Sequence, residues 1–145
     1  MTGKNEVGSY SNEVVGDIRE LVTEINEIEI NEDNCFMVIA YFHARIENIH
    51  PFADGNGRAG RTLLNYLNMI NNIPPVIIYD EDKKYYYECL EKYDTDDISS
   101  LEEFFAYELE RIWQRELLEI KKESFHKKLS GTMENTSNRL KSEEK

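Results

Sequence analysis

Apolar and polar positions alternate with a helical period along most of the 145-residue chain. Apolar residues three or four apart from Ile18 to Ile28, and again from Leu63 to Ile70, predict two amphipathic helices. Between them, Cys35 to Asn48 is apolar on nearly every side in its first half, which is typical of a central buried helix. The pattern therefore predicts an all-α domain.

Turn residues indicate where the other elements begin and end. Two prolines after Ile73 stop the second amphipathic helix, because proline cannot continue a helical hydrogen-bond ladder. A short helix over Asp82–Tyr93 and a long one from Ser99 to about Lys122 follow. Near the N-terminus, Gly8–Gly16 has turn residues between short β-prone pieces, which predicts a small hairpin.

Composition narrows the range of partners. The net charge of −12 and a pI of about 4.7 argue against binding nucleic acid or an acidic membrane surface. No apolar run is long enough to span a bilayer, and the N-terminus has no signal-peptide core. Two distant cysteines, Cys35 and Cys89, are expected to be free thiols, which is consistent with a reducing, cytoplasmic location.

The stretch from His50 to Arg61 reads His-Pro-Phe-Ala-Asp-Gly-Asn-Gly-Arg-Ala-Gly-Arg. A glycine-rich turn that enters a helix presents unpaired N–H groups and a positive dipole end, which suit phosphate. Arg58 and Arg61 are three residues apart and share a helix face, so both can reach one polyphosphate. Asp54 is the one acid of the turn and suits Mg²⁺, and an imidazole such as His50 exchanges protons near neutrality. These residues predict nucleotide chemistry.

This string resembles the signature of the Fic family, His-Pro-Phe-x-Asp/Glu-Gly-Asn-Gly-Arg-x-x-Arg, and meets every fixed position. Similarity extends upstream through Ala40–His43, downstream through Leu64–Leu67 and, more faintly, to about Tyr107. Fic proteins mostly transfer AMP from ATP to a hydroxyl of a target protein and release pyrophosphate. The resemblance implies a Fic fold, a helical bundle around a central pair of motif helices, with the hairpin at Gly8–Gly16 as a flap.

The resemblance implies a role for each motif residue. His50 would deprotonate a Ser, Thr or Tyr hydroxyl of the target, and Asp54 would hold Mg²⁺ between the α- and β-phosphates. Arg58 would pair with phosphate oxygens, and Arg61 would grip the γ-phosphate of ATP. Phe52 would anchor the loop in the core. The anion hole would be formed by Gly55, Asn56 and Gly57.

In the family the flap pairs with an extended segment of the target protein, a form of strand addition. Here Ser9, Tyr10 and Ser11 would do so, although the family usually has Gly-x-Tyr-Arg where this chain has Gly-Ser-Tyr-Ser. The partner would be a protein with a hydroxyl side chain, and the chain itself is a candidate for auto-modification and for self-association. Fic toxins delivered into host cells would share the same sequence features.

A second resemblance lies near the C-terminus. Ser130-Gly131-Thr132-Met133-Glu134-Asn135 is similar to the inhibitory motif Ser/Thr-x-x-x-Glu-Gly/Asn of Fic proteins. By that resemblance Glu134 would form a salt bridge with Arg61 and exclude the γ-phosphate from it. The chain would then comprise a Fic domain at 1–125, with the motif loop at 50–61, and an inhibitory segment at 126–145.

Several alternatives stay open from the sequence. The same fold can use another nucleotide or transfer the terminal phosphate, although the kinase-like relatives have Lys where this chain has Gly57. Hydrolytic removal of AMP would use Glu134 to position water. A regulatory binding module without turnover belongs to a different class. His43, seven residues before His50, is favoured as a buried structural residue over a metal ligand.

Overall fold

The computed structural model describes residues 8–93 and 97–143, with side chains described up to residue 135. The chain divides into two compact units, Met1–Leu109 and Glu110–Lys145. The first unit holds the helices that surround the motif, and the second is the C-terminal part of the last helix.

All secondary structure in the described ranges is helical, which confirms the all-α prediction. A short 3-10 helix at Asp80–Asp82 precedes the fourth α-helix. The helices are α1 (Val14–Glu27), α2 (Cys35–Ile49), α3 (Asn56–Ile70), α4 (Lys83–Tyr93) and α5 (Ser99–Glu143). The sequence therefore predicted a helix close to the start of each one.

Helix α2 is the central element of the first unit. Both α1 and α3 pack against it, α1 through Leu21 and α3 through Leu64 and Leu67. Leu21 and Leu64 are almost completely buried, and a fully buried leucine contributes about 2 kcal/mol through the hydrophobic effect. Since α2 ends and α3 begins at the motif, this packing fixes both sides of the motif loop.

The predicted β-hairpin at Gly8–Gly16 is wrong, because α1 already begins at Val14 and the described part of this range contains no strand. The Tyr10 carbonyl accepts a hydrogen bond from the Val14 N–H (3.2 Å), which closes the turn that starts α1. The N–H of Ser9 is bonded to the Ile49 carbonyl (3.0 Å). Contacts with the core and with the end of α2 thus override the local β preference.

Helix α5 continues to Glu143 and does not end near Lys122 as predicted. Beyond Lys122 the sequence has no proline, and a single glycine inside a helix costs only about 1 kcal/mol relative to alanine. Ser130 and Glu134 lie on this helix with exposed side chains. The boundary between a Fic domain at 1–125 and an inhibitory segment at 126–145 stays a prediction.

Two expectations that were drawn from the sequence, on the cysteines and on membrane-spanning segments, can be compared with the structure. Cys35 and Cys89 are free thiols, as predicted. Among the described helices, none combines the length and the apolar character that crossing a bilayer requires.

His43 lies at the centre of the first unit and is fully buried, as predicted. Its Nε2 lies 2.7 Å from the Tyr86 hydroxyl oxygen, and its ring meets the edge of Phe105 at a centroid distance of 5.5 Å. Burial, together with the charge of Arg61, lowers the pKa of His43 to about 4. The ring is therefore neutral at physiological pH.

Stability is expected to fall on mild acidification because of His43. Below about pH 6.5 the unfolded histidine binds a proton, whereas the buried one stays neutral down to about pH 4. The unfolded state then binds more protons, so the free energy of unfolding decreases as pH falls. Between pH 7.5 and pH 5 the expected loss from this residue is about 2 kcal/mol.

Urea unfolding of the wild type and of His43→Gln at both pH values measures this loss. Glutamine offers Tyr86 a hydrogen-bond partner and does not titrate, so the variant is expected to be less sensitive to acid. His50 and His126 are present in both proteins, so the comparison isolates the effect of His43. Equal acid sensitivity of the two proteins would show that His43 is not the group responsible.

Candidate functional site

His50 ends helix α2 in a left-handed conformation (φ 53°, ψ 56°), which turns the chain away from the core and exposes the imidazole. Its Nδ1 lies 3.2 Å from the backbone oxygen of Glu47. A carbonyl only accepts hydrogen bonds, so Nδ1 carries the proton in this contact. Nε2 then has a free lone pair, and it is the atom that can accept a proton from a substrate.

The loop after His50 is closed by the side chain of Asn56. Asn56 Oδ1 accepts a hydrogen bond from the Phe52 N–H (2.8 Å), and its Nδ2 donates to the Phe52 carbonyl (2.5 Å). The predicted anchoring of the Phe52 ring in the core is wrong, since 53% of this residue is exposed. The Phe52 backbone is the part that is fixed, and the buried Asn56 amide fixes it.

Helix α3 begins directly after this loop with an open N-terminus. Its N-cap is Gly55 at φ 80°, a left-handed angle that favours glycine, and no side chain caps the helix. The Gly55 carbonyl accepts the N–H of Ala59 (2.9 Å). Because the N–H groups before Ala59 have no acceptor within the helix, they and the helix dipole form a site for an anion.

Both motif arginines fold back over this N-terminus. Arg58 Nη2 lies 3.2 Å from the position that a Cβ atom on Gly55 would occupy. Arg61 Nη1 lies 3.1 Å from the corresponding position on Gly57, so a side chain there would press on the guanidinium. The tilt of Cα–Cβ bonds towards the helix N-terminus explains this direction. Two guanidiniums thus converge on the anion site.

Asp54 stands at the edge of the same site. Its Oδ1 accepts the N–H of Gly55 (2.7 Å), and its Oδ2 lies 3.9 Å from Arg58 Nη2. With the Asp54 side chain 96% exposed, this ion pair contributes little to stability. Across the described residues no three His, Cys, Asp or Glu side chains form a metal-binding group. A single carboxylate such as Asp54 is sufficient to bind Mg²⁺ when the phosphates of a substrate supply the other ligands.

A cleft of about 190 Å³ opens beside His50, between α2 and α4. Its α4 wall includes Tyr87, Leu90 and Tyr93, and its α2 wall includes Asn48. The cleft therefore combines aromatic and aliphatic surface with a few polar groups, as small-molecule sites do.

Two residues near the site were not predicted, Glu47 and Tyr86. A Cβ atom on Gly60 would collide with Glu47 Oε1, so the glycine provides the space for this carboxylate. Burial raises the pKa of Glu47, while the charges of Arg61 and His50 act in the opposite direction. The sequence signal for Glu47 was its position one helical turn before His50.

The predicted target-docking residues lie beside the motif, although they form no hairpin. Ser9 is bonded to Ile49, and a Cβ atom on Gly8 would lie 3.2 Å from His50 Cβ. Tyr10 and Ser11 are exposed. The predicted inhibitory residues, Ser130 and Glu134, belong to the second unit.

Sequence comparison finds relatives of this chain. The profile of the Fic/DOC family matches residues 5–68. The protein adenylyltransferase Fic of Culex quinquefasciatus is 34% identical over 105 residues, which is 69% of this chain and 21% of that protein. The protein of the same name in Nematostella vectensis is 43% identical over 72 residues, covering 50% of this chain and 17% of the relative. The chain thus spans about a fifth or less of the length of these relatives.

Structure comparison agrees with the sequence relatives. Fic-1 from C. elegans (aa134–508) superposes with a TM-score of 0.67 at 28% identity, over 79% of this chain and 36% of the other. A single-substitution variant of that fragment gives a TM-score of 0.69 at 29% identity, over 79% and 34% of the two chains. With its helical fold and intact motif, the chain belongs to the Fic/DOC family.

Proposed function

We propose that this protein transfers AMP from Mg·ATP to a hydroxyl of a target protein and releases pyrophosphate. The observation that carries the proposal is that Arg58 and Arg61 lie over the open N-terminus of α3, while His50, with a free Nε2, begins the loop that leads into this helix. The relatives from insects and Nematostella carry the name protein adenylyltransferase, which supports the same activity.

In the proposed reaction His50 Nε2 accepts the proton of the target hydroxyl, and that oxygen attacks the α-phosphorus of ATP. The bond between the α-phosphorus and the bridging oxygen breaks, and pyrophosphate leaves with its electron pair. Arg58, Arg61 and the first N–H groups of α3 neutralise the developing charge. Asp54 would hold Mg²⁺, which would supply further charge neutralisation on the phosphates.

The backbone of Gly55, Asn56 and Gly57 forms the proposed anion hole. The Asn56 side chain contributes indirectly, because its two hydrogen bonds with Phe52 hold the loop in shape. For the nucleoside we propose the cleft beside His50, where Tyr87 and Leu90 offer surfaces for a flat base. The target would approach along Ser9, Tyr10 and Ser11, which run beside the end of α2.

We also propose that Glu134 restrains the reaction. A carboxylate and a γ-phosphate compete for the same guanidinium, so an ion pair between Glu134 and Arg61 would hold ATP in an unproductive pose. The exposed Glu134 carboxylate has the chemistry that this pairing needs. In this account residues 126–145 are the inhibitory segment, Ser130 is part of its motif, and self-association is one means of controlling it.

Intact-mass spectrometry of the protein and of a cell lysate, incubated with Mg²⁺ and ATP, tests the activity. The expected product is a protein that carries one AMP per modified hydroxyl, together with an equal amount of pyrophosphate. A phosphate adduct with release of ADP would identify a kinase instead. Release of AMP from modified protein without net transfer would identify the hydrolytic reaction.

A further inference from the structure

The backbone of the proposed base has a conformation that residues with a Cβ atom avoid. His50 lies in the left-handed region, with φ 53° and ψ 56°. Such a residue keeps its conformation only where the surrounding structure fixes it from several sides. Because the backbone angles limit the directions that a side chain can take, the groups that fix His50 also determine where its Nε2 points.

Two of these groups belong to helix α2 itself. The His50 N–H donates a hydrogen bond to the Ile46 carbonyl (3.2 Å), and His50 Nδ1 lies 3.2 Å from the backbone oxygen of Glu47. Both partners lie in the last turn of α2. They therefore fix His50 only relative to the end of its own helix.

The N-terminal segment, Gly8–Tyr10, contacts His50 from a different part of the chain. The Ser9 N–H donates a hydrogen bond to the Ile49 carbonyl (3.0 Å). A Cβ atom on Gly8 would lie 3.2 Å from His50 Cβ and 3.6 Å from the Ile49 carbonyl oxygen. Carbon atoms pack best at about 3.5–4.0 Å, so a side chain at residue 8 would displace either His50 or the segment itself.

Backbone angles give a second reason for glycine at this position. Gly8 has φ 128°, which a residue with a Cβ atom adopts only under strain. At its other end the segment is joined to α1, because the Tyr10 carbonyl accepts the N–H groups of Glu13 (2.7 Å) and Val14 (3.2 Å). Since α1 packs against α2, the segment is fixed at the start of one helix and at the end of the other.

We propose that Gly8 is a positioning residue for the base: its bare backbone, fixed by the bond between Ser9 and Ile49, packs against His50 and keeps Nε2 in place for the acceptor hydroxyl. This inference rests on the proposed function, in which His50 is the base. Gly8 acts only through His50 and contacts neither the nucleotide nor the hydroxyl that reacts.

NMR of the histidine rings tests this positioning without a substrate. In protein labelled with ¹⁵N at histidine, correlations between ring nitrogens and ring C–H protons report which nitrogen carries the proton. We expect the proton of wild-type His50 on Nδ1, because that atom faces the Glu47 carbonyl. Gly8→Ala is expected to shift the His50 signals and to give a mixture of the two tautomers. The exposed His126 is the internal reference in each spectrum.

Gly16→Ala is the matched control for the substitution. A Cβ atom on Gly16 would meet no other atom within 4 Å, and Gly16 lies inside helix α1, where alanine is favourable. The same change of glycine to alanine, eight residues further along the chain, should therefore leave the His50 signals as they are in the wild type.

Transfer of AMP connects the position of the ring with the reaction. In the Glu134→Gly protein at saturating Mg·ATP, Gly8→Ala is expected to lower the transfer rate about tenfold or more, since a misplacement of about 1 Å can cost about 10²-fold. The affinity for ATP, measured by calorimetry, should not change, because the guanidiniums and N–H groups of the anion site belong to α3. Gly16→Ala should keep both the rate and the affinity.

The two measurements together separate positioning from other roles. Unchanged His50 signals in folded Gly8→Ala would overturn the inference, and a lower rate would then place Gly8 in the surface that receives the target. Shifted signals with an unchanged rate would overturn it as well. If no protein in the series transfers AMP, the proposed function fails, and the spectra still decide whether Gly8 sets the position of the ring.

Ser9→Pro keeps the test decisive if Gly8→Ala does not fold. Proline lacks the N–H that bonds to Ile49, so this variant loosens the segment without adding an atom to Gly8. It is expected to give the same mixture of His50 tautomers. Wild-type His50 signals in folded Ser9→Pro would show that the segment does not hold the base.

Discussion

Replacement of His50 is expected to abolish transfer of AMP while the protein remains folded. Removal of a general base typically lowers a reaction rate by about 10² to 10⁴, because the hydroxyl then loses its proton acceptor. Alanine at a left-handed angle costs about 1 kcal/mol, and asparagine tolerates that angle better. Both His50→Ala and His50→Asn are therefore expected to be inactive, and His50→Asn is the less destabilised of the two.

The rate of AMP adduct formation at saturating ATP, together with the thermal midpoint of each variant, measures this effect. The exposed His126 provides a matched control, and His126→Ala is expected to keep the rate of the parent. Transfer at the parental rate by folded His50→Asn would exclude His50 as the base. Loss of ATP binding in both variants would assign His50 to binding instead.

Replacement of Glu134 is expected to raise the transfer rate. If the Glu134 carboxylate is paired with Arg61, removing that carboxylate lets Arg61 make a charge-assisted contact with the γ-phosphate. The transfer rate is then expected to rise about tenfold or more. Glu134→Gly removes the side chain but also weakens a helix by about 1 kcal/mol. Glu134→Gln removes the charge only, so an increase in both variants would assign the effect to the carboxylate.

Glu123→Gly is the matched control for the helix. It removes another exposed acid from α5 and introduces the same flexible residue, and it should leave the rate unchanged. An equal increase in Glu123→Gly and Glu134→Gly would mean that softening α5, and not freeing Arg61, activates the protein. Unchanged rates in both Glu134 variants would remove autoinhibition from the account.

The helices were predictable because their apolar positions repeat with a helical period. The conformation of the first described residues was not predictable from the sequence. The contacts of Ser9 with Ile49 and of α1 with the core outweigh the local preference of Gly8–Gly16 for a hairpin. The end of α5 was also missed. A polar helix without a proline carries no sequence signal that distinguishes continuation from an irregular tail.

The motif residues were predictable because a short turn rarely contains so many glycines and charged or polar side chains. The direction of the Phe52 ring was not, because the Asn56 side chain fixes the backbone and leaves the ring outside. Glu47 and Tyr86 reach the site only through the packing of α2, α3 and α4. A linear sequence does not show which side chains three crossing helices bring together, so both residues required the structure.

Transfer of radioactive label from ATP tests the central claim most directly. ATP carries the label at either the α- or the γ-phosphate and is given to the wild type, Glu134→Gly and Glu134→Gly/His50→Ala, each with and without a cell lysate. We expect label on protein from the α-phosphate only, strongest with Glu134→Gly and absent without His50. Label from the γ-phosphate only, or label that persists in Glu134→Gly/His50→Ala, would contradict it.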